Sequence, residues 1–170
     1  SLRASEVSSV DTTETKKYNN QNLKEYCQSR LGQYKSYLKN PQLEQVCNHA
    51  KVIDSCHSVK GAPIFHVDEK GKNDKAKNIL VFSLIHGDET DAGVLGRYWM
   101  ERLVELDPRN NWRIVPILNP DGTTGKTRTN ANGVDLNRNF PTLDWNEKAI
   151  AYWKSGAQSS KRKFPGYNPG

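Results

Sequence analysis

His86-Gly87-Asp88-Glu89 sets an imidazole and a carboxylate three residues apart. Zinc accepts both donor types, at about 2.0–2.2 Å. The tetrapeptide stands at the end of residues 78–85 (NILVFSLI), an apolar run of strand length. Open α/β sheets present ligands at the carboxyl ends of their strands, and Gly87 lets the backbone turn sharply between the two donors. The competing reading makes Glu89 an acid in the first turn of a helix, where the dipole favours it. His49, His57 and His66 read as surface or packing residues.

Two further stretches follow. Asn119-Pro120-Asp121-Gly122 ends a second apolar run, residues 112–118, and taken alone it is a turn sequence. Residues 128–141 (RTNANGVDLNRNFP) bring two arginines and several amides into one loop. Arginine offers a planar fork for a carboxylate, and one near a metal steadies the oxyanion formed when water attacks a peptide carbonyl. The alternative is a loop tied by ion pairs between Asp135 and the arginines.

These residues need a frame. Residues 22–38 repeat apolar side chains at three- and four-residue steps, which predicts a helix stopped by Asn40-Pro41, with a second short helix after Pro41. Residues 51–59 and 63–68, split by Lys60-Gly61, predict a hairpin. Residues 78–85 predict a central strand buried on both faces, residues 90–106 a helix, and residues 112–118 a second buried strand. Strand, helix, strand in that order makes a βαβ unit, hence an α/β sheet. Residues 119–141 predict a long functional loop, and residues 145–153 a helix. Residues 1–20 are polar and aperiodic, an extended arm.

Composition narrows the classes. Lys and Arg total 25 against 19 Asp and Glu, a net charge of +6. The densest basic run, Lys161-Arg162-Lys163, lacks the aromatic interleaving of a nucleic-acid surface and reads as a solvated loop, so no nucleic-acid partner is expected. No run reaches the roughly 18 apolar residues of a membrane span. The 3 cysteines permit one disulfide and a free thiol, or three thiols. Cys47 and Cys56, close in sequence, are the pair expected to bridge in an oxidising compartment. No C-x-x-C occurs, which disfavours a thiolate zinc site.

HGDE, then NPDG about thirty residues on, then RTNANGVDLNRNFP resembles the funnelin-type zinc metallocarboxypeptidases, relatives of carboxypeptidase A. Within that family it is most similar to bacterial peptidases of the murein tripeptide amidase kind. The resemblance covers residues 77–170 and implies an α/β fold with a mixed, largely parallel sheet and helices on both faces. With the elements read above, three segments are expected: the arm at 1–20, a helical N-terminal segment at 21–50, and the N-terminal portion of a zinc peptidase domain at 51–170.

The resemblance also implies roles. His86 and Glu89 match two of three zinc ligands. Arg128 matches the catalytic arginine that polarises the scissile carbonyl, and Asn137 with Arg138 matches the clamp on the substrate's terminal carboxylate. Asp88 stands where carboxypeptidase A has an arginine and would suit a substrate amino group, such as that of diaminopimelate. The family's third ligand, a His, and its general-base Glu and capping Tyr lie further along than residue 170. The 170 residues are therefore expected to be the first part of a longer domain, inactive alone and completed by its C-terminal segment.

The function implied is zinc-dependent hydrolysis of a peptide bond near a free carboxylate, in peptidoglycan stem peptides. A carboxypeptidase acting on protein C-termini and a non-catalytic module binding carboxylate-ended peptides are the alternatives. A start at Ser1 and a Cys47–Cys56 bridge would fit a periplasmic or secreted protein, with a cytoplasmic one the alternative.

Overall fold

The computed structural model describes residues 20–155 and 160–168. Helix α1 (Asn20–Leu31) and helix α2 (Leu43–Asn48) lead into a hairpin of β1 (Ala50–His57) and β2 (Pro63–Glu69). Strand β3 (Asn78–Phe82), helix α3 (Thr90–Glu105) and strand β4 (Asn111–Val115) follow, then short helix α4 (Pro120–Gly125), a 3-10 turn at Leu136–Arg138, helix α5 (Trp145–Lys154) and a 3-10 turn at Lys161–Lys163.

The sheet order is β1-β2-β4-β3. β3 and β4 run parallel, joined through α3 as the βαβ reading requires, while β2 pairs antiparallel with both β1 and β4. The sheet is thus mixed but mostly antiparallel, a correction to the largely parallel one expected. The hairpin causes it, because it enters the sheet interior beside β4.

Register fixes the faces. Val67 lies opposite Ile114, and Ile114 opposite Val81, so these three share one face. That face meets Leu23, Cys27 and Leu31 of α1, Val46 and Cys47 of α2, and Met100 of α3 in a single apolar core. On the other face Leu80 and Phe82 are 56% and 44% exposed. Strand β3 is an edge of the sheet among the described residues, rather than the doubly buried centre expected. An apolar run reports its own hydrophobicity, not how many neighbours cover it.

Helix α1 ends at Leu31, earlier than the periodicity predicts. Gly32 closes it through its N–H to the Gln28 carbonyl at 2.8 Å, and Tyr34 then packs against Gly93 of α3, where a Cβ would meet the ring at 2.4 Å. The turn carrying Tyr34 is locked by Arg97 of α3, whose Nη1 donates to the carbonyls of Tyr34 at 2.6 Å and Leu31 at 3.3 Å. Arg97 is itself paired with the fully buried Glu101 at 3.1 Å.

The disulfide joins Cys27 to Cys47, and Cys56 is free. This corrects the expected Cys47–Cys56 pairing: facing positions on α1 and α2 meet in space, while Cys56 sits out on β1. His49 is exposed and His66 buried, in keeping with surface and packing residues. Each has an acidic partner, Glu69 at 3.1 Å and Asp68 at 2.9 Å.

Candidate metal centre

Beyond β3 the chain keeps contact with the segment following β4. Ser83 N–H donates to the Val115 carbonyl at 2.9 Å, Leu118 N–H to Ser83 at 3.0 Å, and Asn119 N–H to Leu84 at 3.1 Å. These bonds carry the two strand ends forward side by side, so that His86 and Asn119 emerge together.

The N-P-D-G stretch is the first base of the site, and it is a helix start rather than a turn. Asn119 is the N-cap of α4, its side-chain oxygen accepting from Gly122 N–H at 2.9 Å, with Pro120 in the first turn. The other end of the same side chain donates to the Ile85 carbonyl at 3.2 Å, next to His86. Asp121 reaches back to the hairpin, accepting from Ser58 Oγ at 2.8 Å and Lys60 N–H at 3.1 Å. Gly87 lies so close to Gly122 that a Cβ on it would stand 1.9 Å from the Gly122 carbonyl carbon. Its N–H donates to the Thr127 carbonyl at 2.9 Å, which brings Arg128 alongside.

His86 is 4% exposed and held at both nitrogens. Nε2 lies 2.9 Å from Oδ1 of Asp135, and Nδ1 lies 2.9 Å from Oε1 of Glu89. Asp135 is 0% exposed and joins three elements. Its Oδ1 also accepts from Asn137 N–H at 3.0 Å, starting the 3-10 turn, and its Oδ2 accepts from Nε of Arg128 at 2.9 Å. Nη1 of Arg128 then lies 3.5 Å from Oε1 of Glu89. The ion pair between Asp135 and an arginine, weighed as the bland alternative for this loop, exists and serves the site.

In the tautomer that donates from Nε2 to Asp135, the Nδ1 lone pair faces the Glu89 carboxylate. In that tautomer the two make a neighbouring imidazole and carboxylate donor, a pairing that suits zinc. His86 and Glu89 therefore fit as part of a zinc site. Among the described residues no group of three or more His, Cys, Asp or Glu side chains gathers to hold a metal.

The remaining candidates are spread around this centre. Asp88, between the two donors, accepts at Oδ2 from Nη2 of Arg162 at 2.7 Å, while its Oδ1 is enclosed without a hydrogen-bond partner among the described residues. Asn137 and Arg138 lie exposed on the 3-10 turn, with Nη1 of Arg138 on the Asn137 carbonyl at 2.9 Å. His86, Glu89 and Arg128 are thus brought together directly; Asn137 and Arg138 are tied to them through Asp135.

Residues 34–169 match the zinc carboxypeptidase (peptidase M14) family. The chain belongs to this family. It is 36% identical over 102 residues to murein peptide amidase A of Escherichia coli K12, an alignment covering 59% of this chain and 40% of that protein. It is 30% identical over 128 residues to carboxypeptidase SOL1 of Arabidopsis thaliana, covering 63% of this chain and 26% of that one. The chain thus spans about two fifths or less of these relatives' lengths. The fold is that of bovine thrombin-activatable fibrinolysis inhibitor, with a TM-score of 0.58 at 17% identity over 91% of this chain and 52% of that structure.

Proposed function

We propose that this zinc carboxypeptidase family member hydrolyses a peptide bond close to a free carboxylate, in peptidoglycan stem peptides. The observation that carries the reading is the hydrogen-bonded set Glu89–His86–Asp135–Arg128, in which one buried carboxylate orients a metal donor and a guanidinium together. Nδ1 of His86 and the Glu89 carboxylate hold zinc, with a His from outside these residues as the third protein ligand. Bound there, zinc supplies Lewis-acid polarisation of the scissile carbonyl and acidifies an attacking water.

The chain's own residues position the substrate. Arg128, steadied at Nε by Asp135, keeps Nη1 towards the reacting carbonyl and stabilises the oxyanion. Asn137 and Arg138, exposed and without a carboxylate partner among the described residues, take the substrate's terminal carboxylate through the guanidinium fork. Asp88 offers its unpartnered Oδ1 to a substrate amino group, Arg162 holding the other oxygen.

The likeness to murein peptide amidase A supports a stem peptide as substrate. The Cys27–Cys47 disulfide supports an oxidising, exported location. Among the described residues no helix is long and apolar enough to cross a membrane.

The test is hydrolysis by the full-length protein, with all three zinc ligands present, of a diaminopimelate-containing stem peptide, beside the same peptide with its terminal carboxylate amidated. Zinc-dependent cleavage of the free acid, reduced at least about tenfold by amidation, is expected. Cleavage of ordinary C-terminal residues with no preference for diaminopimelate would replace this reading by a general carboxypeptidase. Tight binding with no cleavage would replace it by a binding module.

A further inference from the structure

A cleft of about 520 Å³ opens beside Arg128, and the roles above leave it unused. Lys126, Arg128, Lys161 and Arg162 line it, and no carboxylate does among the described residues. Its apolar wall is a chain of rings: Trp153 on Phe164 and Phe164 on Tyr167, each pair 5.0 Å between centroids.

The four cations are not equivalent. Arg128 is engaged by Asp135 and Glu89, and Arg162 by Asp88. Lys126 and Lys161 are exposed and form no ion pair among the described residues. The cleft therefore holds two uncommitted positive charges against an apolar wall.

Both rims are bonded to the metal centre. The Thr127 carbonyl, next to Lys126, accepts from Gly87 N–H at 2.9 Å, and Gly87 adjoins His86. The Phe164 carbonyl accepts from Asp135 N–H at 2.7 Å. At the far end Trp153 Nε1 donates to the Ser160 carbonyl at 3.1 Å, tying α5 to the turn that bears Lys161. The cleft thus begins at the reacting centre, while Arg138 lies outside its lining.

We infer that this cleft is a subsite for an acidic side chain or free carboxylate on the part of the peptide N-terminal to the scissile bond, recognised by Lys126 and Lys161. The inference rests on the proposed peptidase reading: with the terminal carboxylate at Arg138 and the scissile carbonyl at Arg128, the rest of the peptide must run away from Arg138. The one lined concavity that includes Arg128 is this one among those described. A carboxylate entering it meets two ammonium groups without displacing an existing ion pair. The rings make one side of the cleft apolar, and a cationic lining free of acids among the described residues discriminates against neutral or basic residues at that position.

The test uses the full chain stripped of metal, so that chemistry plays no part. Two dye-labelled peptides with free C-termini, identical but for Glu or Gln immediately N-terminal to the last residue, are titrated by fluorescence anisotropy. The Glu peptide is expected to bind about tenfold more tightly. That advantage should disappear in a K126A/K161A double variant, which alters two exposed side chains, and shrink as salt rises from about 50 to about 300 mM. Binding of the Gln peptide should be the same in both proteins.

Equal affinities for the two peptides in the unaltered chain, or an advantage that survives the double substitution, would overturn the subsite. Glu preference without hydrolysis on restoring zinc would sink the peptidase reading and leave the subsite standing. Hydrolysis without Glu preference would do the reverse.

Discussion

Nε2 of His86 lies 2.9 Å from Oδ1 of Asp135, a carboxylate with no solvent exposure that also accepts from Nε of Arg128. One acid therefore sets the ring orientation of the proposed metal donor and the position of the guanidinium beside it. Asp135→Asn removes the charge and the certainty of acceptance at both contacts. Zinc affinity of the full chain, measured by competition with a chelating dye, should fall about 10- to 100-fold. An unchanged affinity would mean that Asp135 is structural only.

Gly87→Ala should prevent the site from assembling. The added methyl would overlap the Gly122 backbone, since an ideal Cβ stands 1.9 Å from its carbonyl carbon and backbone cannot step aside as a side chain can. Overpacking of this kind costs about 1–3 kcal/mol and often more, so the melting temperature should drop by several degrees or soluble protein be lost. A variant with unaltered melting and full zinc binding would show that α4 and the His86 turn are not in contact.

The Cys27–Cys47 bridge closes a loop of 20 residues between α1 and α2. Reduction, or Cys27→Ser, should cost about 3 kcal/mol and lower the urea midpoint. Cys56→Ser should leave the midpoint unchanged, because Cys56 is free. If Cys56→Ser were the destabilising change and Cys27→Ser the silent one, the pairing assigned here would be wrong.

The second face of the sheet carries an acid-sensitive cluster. Arg113, bonded to Asp68 at 2.7 Å, holds that carboxyl down to about 2 from an ordinary value of 3.8. The folded-state value is the depressed one. The stabilisation is therefore fully present above the unfolded carboxylate's range and is lost as pH falls from 3.8 through about 2. Solvent around Arg113 screens the pair, leaving about 1 kcal/mol. Asp68→Asn should lose that stability at pH 7 and flatten the acid limb of unfolding; parallel acid limbs for both proteins would contradict it.

That His86, Glu89 and Arg128 would lie together was legible because the proposed chemistry needs few residue types at short range. HGDE at the end of an apolar run places His86 and Glu89 on one turn, and Arg128 follows on the next loop. Other features depend on neighbours that a local pattern does not name. Asn119-Pro120-Asp121-Gly122 suits a turn as well as a helix start; what decides is that Asn119 caps α4 while its amide reaches Ile85 across the strand end. Asp135 reads as one acid in a polar loop until the fold carries it to His86, 49 residues away. The edge position of β3 and the Cys27–Cys47 pairing were missed for the same reason: both are set by which elements pack together.

The central claim is that His86 and Glu89 hold zinc, and metal analysis of the full chain tests it most directly. Purified protein should carry one zinc per chain, and His86→Ala and Glu89→Ala should each lose it while keeping the circular dichroism of the unaltered protein. Folded variants that still retain one zinc per chain would place the metal elsewhere and remove the basis for every role assigned around it.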